Sequence, residues 1–181
     1  MRFRIGLADI AAVVVVLVLV LLPPRAWPVD RVYDGDPVAR AREFGALMAD
    51  LKRSPSSGVV AERLAERLAA AGQTDWGLRT AAVAAMREGR IPDRWRAQLA
   101  ASGIAAQRFE VAAAHDWARA ALASCDSRGS TCGPQERLRV ETYANALGAG
   151  VASGIDPRKD PKKFGEAVKR AVPTIRIPSP R

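Results

Sequence analysis

The feature that most constrains this chain is a long apolar run close to its N-terminus. Residues 5–22 read IGLADIAAVVVVLVLVLL, in which Asp9 is the one charged side chain. A helix of 18 residues spans about 27 Å, close to the thickness of the hydrocarbon layer of a bilayer. Because lipid offers the backbone no hydrogen-bond partners, a segment that crosses it must be helical. Residues 5–22 are therefore predicted to form a transmembrane helix in contact with membrane lipid.

The residues on either side of this run distinguish a membrane anchor from a cleaved signal peptide. Both kinds of segment begin with basic residues, here Arg2 and Arg4 within residues 1–4. A signal peptide has a shorter apolar core and ends at small residues, whereas this run is followed by Pro-Pro-Arg. We therefore expect an uncleaved signal-anchor. Arg2 and Arg4 favour a cytoplasmic N-terminus, which would place the rest of the chain in the periplasm or outside the cell.

A spacer and a helical domain follow the predicted anchor. Residues 23–35 contain Trp27 and Tyr33, whose rings suit the membrane interface, as do the basic side chains of Arg2 and Arg4. Asp36 followed by proline is typical of a helix start, so we expect a helical domain over residues 36–172. Residues 173–181 hold three prolines and two arginines, which predicts an extended basic tail.

The remaining sequence indicates an all-α fold. Apolar residues recur every three or four positions, and glycine, proline and serine interrupt them at short intervals. Short linkers favour a multi-helix bundle or a short solenoid-like array of helical hairpins. Residues 67–72 resemble residues 98–103 in sequence, and this weak repeat is the reason to keep the solenoid-like array as an alternative to the bundle. Helices are expected over residues 37–52, 59–71, 74–87, 93–101, 105–124, 134–152 and 161–172.

Each predicted helix has an apolar stripe that should face the core. Residues 74–87 offer Leu78, Ala82, Ala85 and Met86. Residues 105–124 offer Phe109, Ala113, Trp117 and Ala120. The others offer Val60, Leu64, Leu68 and Ala71, then Val140, Ala144, Leu147 and Val151, and finally Phe164, Val168 and Val172.

The two cysteines predict a disulfide rather than a metal site. Cys125 and Cys132 are the only cysteines and His115 is the only histidine, too few for a four-ligand zinc site of cysteine and histidine. Six residues between the cysteines form a turn-rich connector between two helices. Outside the cytoplasm the thiols should pair, and the alternative is two unpaired small residues. No cofactor or metal is predicted.

The C-terminal region concentrates positive charge. The chain carries a net charge of +9, and residues 154–181 hold eight basic and three acidic residues. A lysine-rich helix face there could bind an anionic partner or lipid, or be only a solvated surface. Nucleic acid is not favoured, since no aromatic residue is interleaved for stacking except Phe164, which is expected in the core. The candidate binding residues are Arg158, Lys159, Lys162, Lys163, Lys169 and Arg170.

No motif in the sequence specifies an enzyme. Phosphate-binding loops, zinc-protease motifs and nucleophile elbows are absent. Glu62 and Glu66 lie one helical turn apart, but Arg63 and Arg67 beside them favour a solvated, salt-bridged face. The leading hypothesis is a non-enzymatic scaffold that binds a protein partner as an accessory subunit of a cell-envelope or membrane complex. The alternatives are an envelope enzyme with a carboxylate site and a membrane-surface binder of anionic lipid or polymer.

The predicted anchor is tested by fractionation. After carbonate extraction the full chain should remain with the membrane, because about 18 apolar residues cannot leave the bilayer when peripheral contacts are stripped. Its N-terminal sequence should also be intact. A mature N-terminus near residue 26 would show instead that the segment is a cleaved signal peptide.

Overall fold

Seven α-helices make up residues 37–171, the part of the chain that the computed structural model describes. They are α1 (Pro37–Arg53), α2 (Gly58–Ala70), α3 (Thr74–Ala85), α4 (Arg94–Gln107), α5 (Val111–Cys125), α6 (Pro134–Ala152) and α7 (Pro161–Ala171). These residues contain no strand, so the all-α prediction is confirmed for them. They belong to the second of two units into which the chain divides, 1–34 and 35–181.

The predicted membrane segment lies outside the described residues. So do the spacer, the tail and the interface residues Arg2, Arg4, Trp27 and Tyr33. Among the seven described helices, none combines the length and apolar character needed to span a bilayer.

Short polar and glycine residues set the ends of α2. The Ser57 hydroxyl accepts a hydrogen bond from the backbone N–H of Val60 (3.4 Å), and the Asp93 carboxylate accepts one from that of Val59 (3.0 Å). These bonds satisfy two of the N–H groups that a helix start leaves open. Gly72, with φ of 79°, follows the last turn in the left-handed conformation that glycine adopts without steric cost.

The bundle is held together by helices that pack mainly on their neighbours in the sequence. Each helix contacts the next one along the chain, and α2 also packs against α4. The buried surfaces consist largely of alanine, so the backbones can approach closely. Larger buried side chains, including Leu64, Trp95, Ile104 and Leu147, lie among them. The buried alanines of α2 to α5 include Ala61, Ala65, Ala69, Ala81, Ala84, Ala97, Ala101, Ala105, Ala114, Ala118 and Ala121.

The break between α4 and α5 differs from the predicted one. We expected a helix end near residue 103, but Gly103 lies within α4 and the break falls at residues 108–110. Phe109 occupies the left-handed position after the helix, with φ of 61°. Its N–H donates to the Ala106 carbonyl, and that of Glu110 donates to the Ala105 carbonyl. This is the Schellman pattern of helix termination, with phenylalanine where glycine is usual.

Three residues of the predicted stripes were placed on the wrong side. Phe109 is 52% exposed, Met86 is 67% exposed and Val151 also faces solvent. Phe109 lies between α4 and α5 and belongs to neither helix, so the apolar stripe predicted for residues 105–124 does not run through it. On α3 the smallest residues face the neighbouring helices instead, among them Ala81 and Ala84, and on α6 Gly150 is the buried residue next to Val151. The stripe Val140, Ala144 and Leu147 is confirmed as buried, and Val172 lies outside the described residues.

Gly77 shows how close this packing is and supplies a test. A Cβ added there would lie 2.7 Å from the Ala65 carbonyl oxygen and 3.2 Å from the Ile104 Cδ1 atom. We expect Gly77→Ala to force α2 and α3 apart and to lower the free energy of unfolding by about 1–3 kcal/mol. Urea denaturation would measure the loss.

A second glycine provides the matched control. Gly103 also lies inside a helix, but a Cβ there meets nothing within 4 Å. Gly103→Ala should therefore stabilise the protein by about 0.5–1 kcal/mol, because alanine is the better helix former. Equal effects of the two substitutions would contradict the close approach of α2 and α3.

Candidate functional site

The disulfide predicted from the sequence is present. Cys125, at the end of α5, is bonded through its Sγ atom to Cys132, and their Cα atoms are 5.0 Å apart. Cys125 is buried with Trp95, Ala121 and Val140, so the bond ties the loop to the core. In the chain-entropy model a loop of this length contributes roughly 2–2.5 kcal/mol to stability. Within residues 37–171 no group of three or more His, Cys, Asp or Glu side chains could hold a metal.

The predicted basic cluster lies on the surface at the last helix. Arg158 and Lys159 precede α7, and Lys162, Lys163, Lys169 and Arg170 lie on it, all six exposed. Lys163 pairs with Asp160 (3.0 Å) and Arg170 lies 3.9 Å from Glu166. The Arg158 guanidinium covers the Phe109 ring and donates to the Arg108 carbonyl. The cluster is thus assembled on a solvated face, and its role in binding an anion or partner stays a prediction.

An apolar groove lies between α1 and α3, and the sequence did not predict it. Both helices pack against α2, and the space between them encloses about 660 Å³. Its apolar lining includes Met48 and Leu51 of α1, Pro55, and Val83 and Ala84 of α3.

Two more exposed apolar residues lie near Val83, which lines the groove, on α3 and at its C-terminal end. Trp76, Val83 and Met86 lie seven and three positions apart, which puts them on one face of the helix. All three are exposed, as is Met48 across the groove. A second apolar stripe was therefore readable in α3, but the pattern does not say which of the two stripes faces the core.

Positive charges border the groove. Lys52 and Arg87 line it. No acidic side chain is among the described residues that line it. The arrangement is an apolar trough with a basic rim, suited to an apolar surface that carries negative charge at its edges.

Glu62 and Glu66 line a smaller cleft between α2 and α4, of about 310 Å³. They do not form the local salt-bridged face expected from the sequence. Glu62 pairs with Arg96 of α4 (3.1 Å), while Arg67 pairs with Glu43 of α1 (2.9 Å). Partial burial, reinforced by the negative charge of Glu62, raises the pKa of Glu66, and Arg67 opposes this shift.

The raised pKa of Glu66 gives a pH-dependent prediction. The folded protein holds this proton more tightly than the unfolded chain does, so ionisation destabilises the fold. Relative to Glu66→Gln, the wild type should lose stability as the pH rises from about 4.3 through the raised pKa, and should match the variant at lower pH. Urea midpoints across this range would measure the difference.

Glu88→Gln serves as the control, because it removes the same charge from an exposed glutamate between α3 and α4. The difference in stability between Glu88→Gln and the wild type should not change with pH in the way predicted for Glu66→Gln. A Glu66→Gln variant that is less stable than the wild type at neutral pH would contradict the assigned environment.

Comparison with known proteins assigns this chain to no family. No protein-family model matches the chain, and neither does any curated protein sequence or solved structure.

Proposed function

We propose that this chain is a membrane-tethered helical interaction domain whose α1–α3 groove binds an acidic amphipathic helix of a partner protein. The partner would belong to a cell-envelope or membrane complex in which this chain is an accessory or scaffold subunit. The observation that carries the proposal is the apolar groove with its basic rim.

The apolar surface of the groove supports the proposal first. Soluble surfaces seldom collect large apolar side chains on one patch unless another molecule covers them. Here Met48, Trp76, Val83 and Met86 are all exposed on the two helices that form the groove. Two of the four are methionines, whose flexible side chains adapt to the shape of a bound segment.

The shape and charge of the groove favour a helix as the occupant. An amphipathic helix lays its apolar face into a trough between two helices. The 12 residues of α3 extend about 18 Å, which leaves room for about three turns of a partner. Lys52 and Arg87 would then face the edges of that helix, where Asp or Glu complements them.

The predicted anchor and the disulfide support a location at the membrane and outside the cytoplasm. A membrane tether raises the local concentration of a partner in the same membrane, so that a modest affinity suffices. The Cys125–Cys132 bond is typical of proteins in an oxidising compartment, in agreement with a domain outside the cytoplasm.

An envelope hydrolase is the second candidate, favoured by the Glu62–Glu66 cleft. A carboxyl with a raised pKa beside a second carboxylate is the arrangement that general acid catalysis uses. Glu62, however, is already paired with Arg96. Retained activity of a Glu66→Gln variant toward any substrate found for the protein would exclude this role.

The groove is tested by site-specific crosslinking in intact membranes. A photoreactive amino acid in place of Val83 should crosslink to a partner through an acidic amphipathic segment. Val83→Glu should weaken binding of that segment by at least tenfold, since a charge there disrupts an apolar contact and repels acidic side chains. Higher salt should weaken the wild-type complex as well.

Leu138 offers a matched control on α6. It is 52% exposed and Val83 is 50% exposed, but Leu138 does not line the groove. Leu138→Glu should leave binding unchanged. Crosslinks only to a second copy of this chain, or to its own residues 172–181, would contradict a partner protein. Equal binding by the Val83→Glu variant would contradict the groove as its site.

A further inference from the structure

A second cavity lies on different elements from the groove and is lined by arginines. It encloses about 470 Å³ between the α3–α4 connector, the end of α5 and the disulfide-closed loop. Arg90, Arg94 and Arg128 line it together with Ser124 and Ser127. No acidic side chain is among its described lining residues, so the cavity has a strongly positive character.

Two of the arginines are held in place by neutral partners. The Arg94 Nη2 atom donates to the carbonyl oxygens of Arg87 (2.7 Å) and Gly89 (2.6 Å). The Arg90 Nη2 atom donates to the Arg128 carbonyl oxygen (3.2 Å). Carbonyl oxygens orient a guanidinium group without cancelling its charge.

The positive charge of the cavity is uncompensated. Over residues 37–171, the ion pairs of the structure include neither Arg90, Arg94 nor Arg128. Elsewhere in the bundle, arginines such as Arg96 and Arg137 are paired with carboxylates. Three unpaired arginines around one concave space are the arrangement that recognises phosphate or carboxylate groups.

Gln98 is an independent indication that something polar binds here. Its side chain lines the cavity and is only 8% exposed, and its Oε1 atom has no hydrogen-bond partner among the described residues. An unsatisfied buried amide oxygen is rare and costly. The oxygen itself lies below the surface, so a ligand hydroxyl could donate to it only after the side chain turns toward the cavity. Rotation of the amide by 180° would instead offer its N–H groups to an oxyanion.

The wall of the cavity is preorganised by the disulfide loop. The backbone N–H of Thr131 donates to the Pro92 carbonyl oxygen (2.8 Å), and the Ser130 hydroxyl contacts the same oxygen (3.4 Å). Together with the Cys125–Cys132 bond, these contacts hold the loop against the α3–α4 connector. Arg128 and Ser127 are thus presented to the cavity by a closed, anchored loop.

We propose that this cavity binds a small molecule through an oxyanion group, either a phosphate or a carboxylate. The arginines would bind the anion, and the two serine hydroxyls and Gln98 would bind the polar atoms next to it. The volume is in the range of small-molecule sites, so the ligand is larger than a single ion. The site does not depend on the α1–α3 groove and would persist if the proposed partner were wrong.

Calorimetric titration of the full chain in a non-ionic detergent tests the site. Inorganic pyrophosphate and citrate are the probes, one for each oxyanion class, and at least one should bind saturably. Arg128→Gln and Arg90→Gln should each weaken that binding by about tenfold or more, since each removes a charged donor. The Arg128 side chain is exposed and makes no hydrogen bond or ion pair with other described residues, so its substitution should leave the fold intact.

Arg139→Gln is the control, because it removes the same charge from an exposed site on α6 that does not line the cavity. It should leave the affinity unchanged. Binding of pyrophosphate alone assigns the phosphate class, and binding of citrate alone assigns the carboxylate class. Absence of saturable binding of both probes up to about 10 mM, or equal binding by all three variants, would overturn the proposal.

Discussion

The close approach of α2, α3, α4 and α5 is the constraint on which the rest of the structure depends. Alanine and glycine at the contact surfaces allow it, most clearly where Gly77 faces the Ala65 carbonyl. Small residues, among them Gly77, Ala81 and Ala84, occupy most of the inner face of α3 beside Leu78, which leaves Val83 and Met86 on its outer side. Val83 and Met86 are exposed for this reason. The apolar groove is thus a direct result of how the core is packed.

Much of the fold could be predicted from hydrophobic period and helix-ending residues. Within residues 37–171 the number of helices and most of their bounds agree with expectation, and so does the disulfide. The hydrophobic period did not identify the buried face of helices rich in alanine, because alanine occurs on either side of a helix. Met86 was therefore predicted to be in the core on the strength of its larger apolar side chain. The α4–α5 break was misplaced because a phenylalanine, Phe109, takes the left-handed position where glycine was expected.

The candidate sites were harder to predict because they join residues distant in sequence. Arg90 and Arg128 meet only because the disulfide loop lies against the α3–α4 connector. The arginine-rich composition gave no sign of which side chains would be neutralised. Ion pairs between elements account for several of them, and among the arginines without an ion pair in the described residues are the three that line the cavity. The pairs that join different helices or their ends are Glu43–Arg67, Glu62–Arg96, Asp75–Arg108 and Asp126–Arg137.

The alanine core also sets how the stability of this domain responds to temperature. The heat capacity of unfolding grows with the apolar surface that unfolding exposes, at about 0.45 cal/K/mol/Å². A buried alanine contributes far less of that surface than a leucine or a phenylalanine would. A bundle built around Ala61, Ala101 and Ala118 therefore has a small heat capacity change for its length. Its stability curve should be shallow, changing little between cold and warm growth conditions.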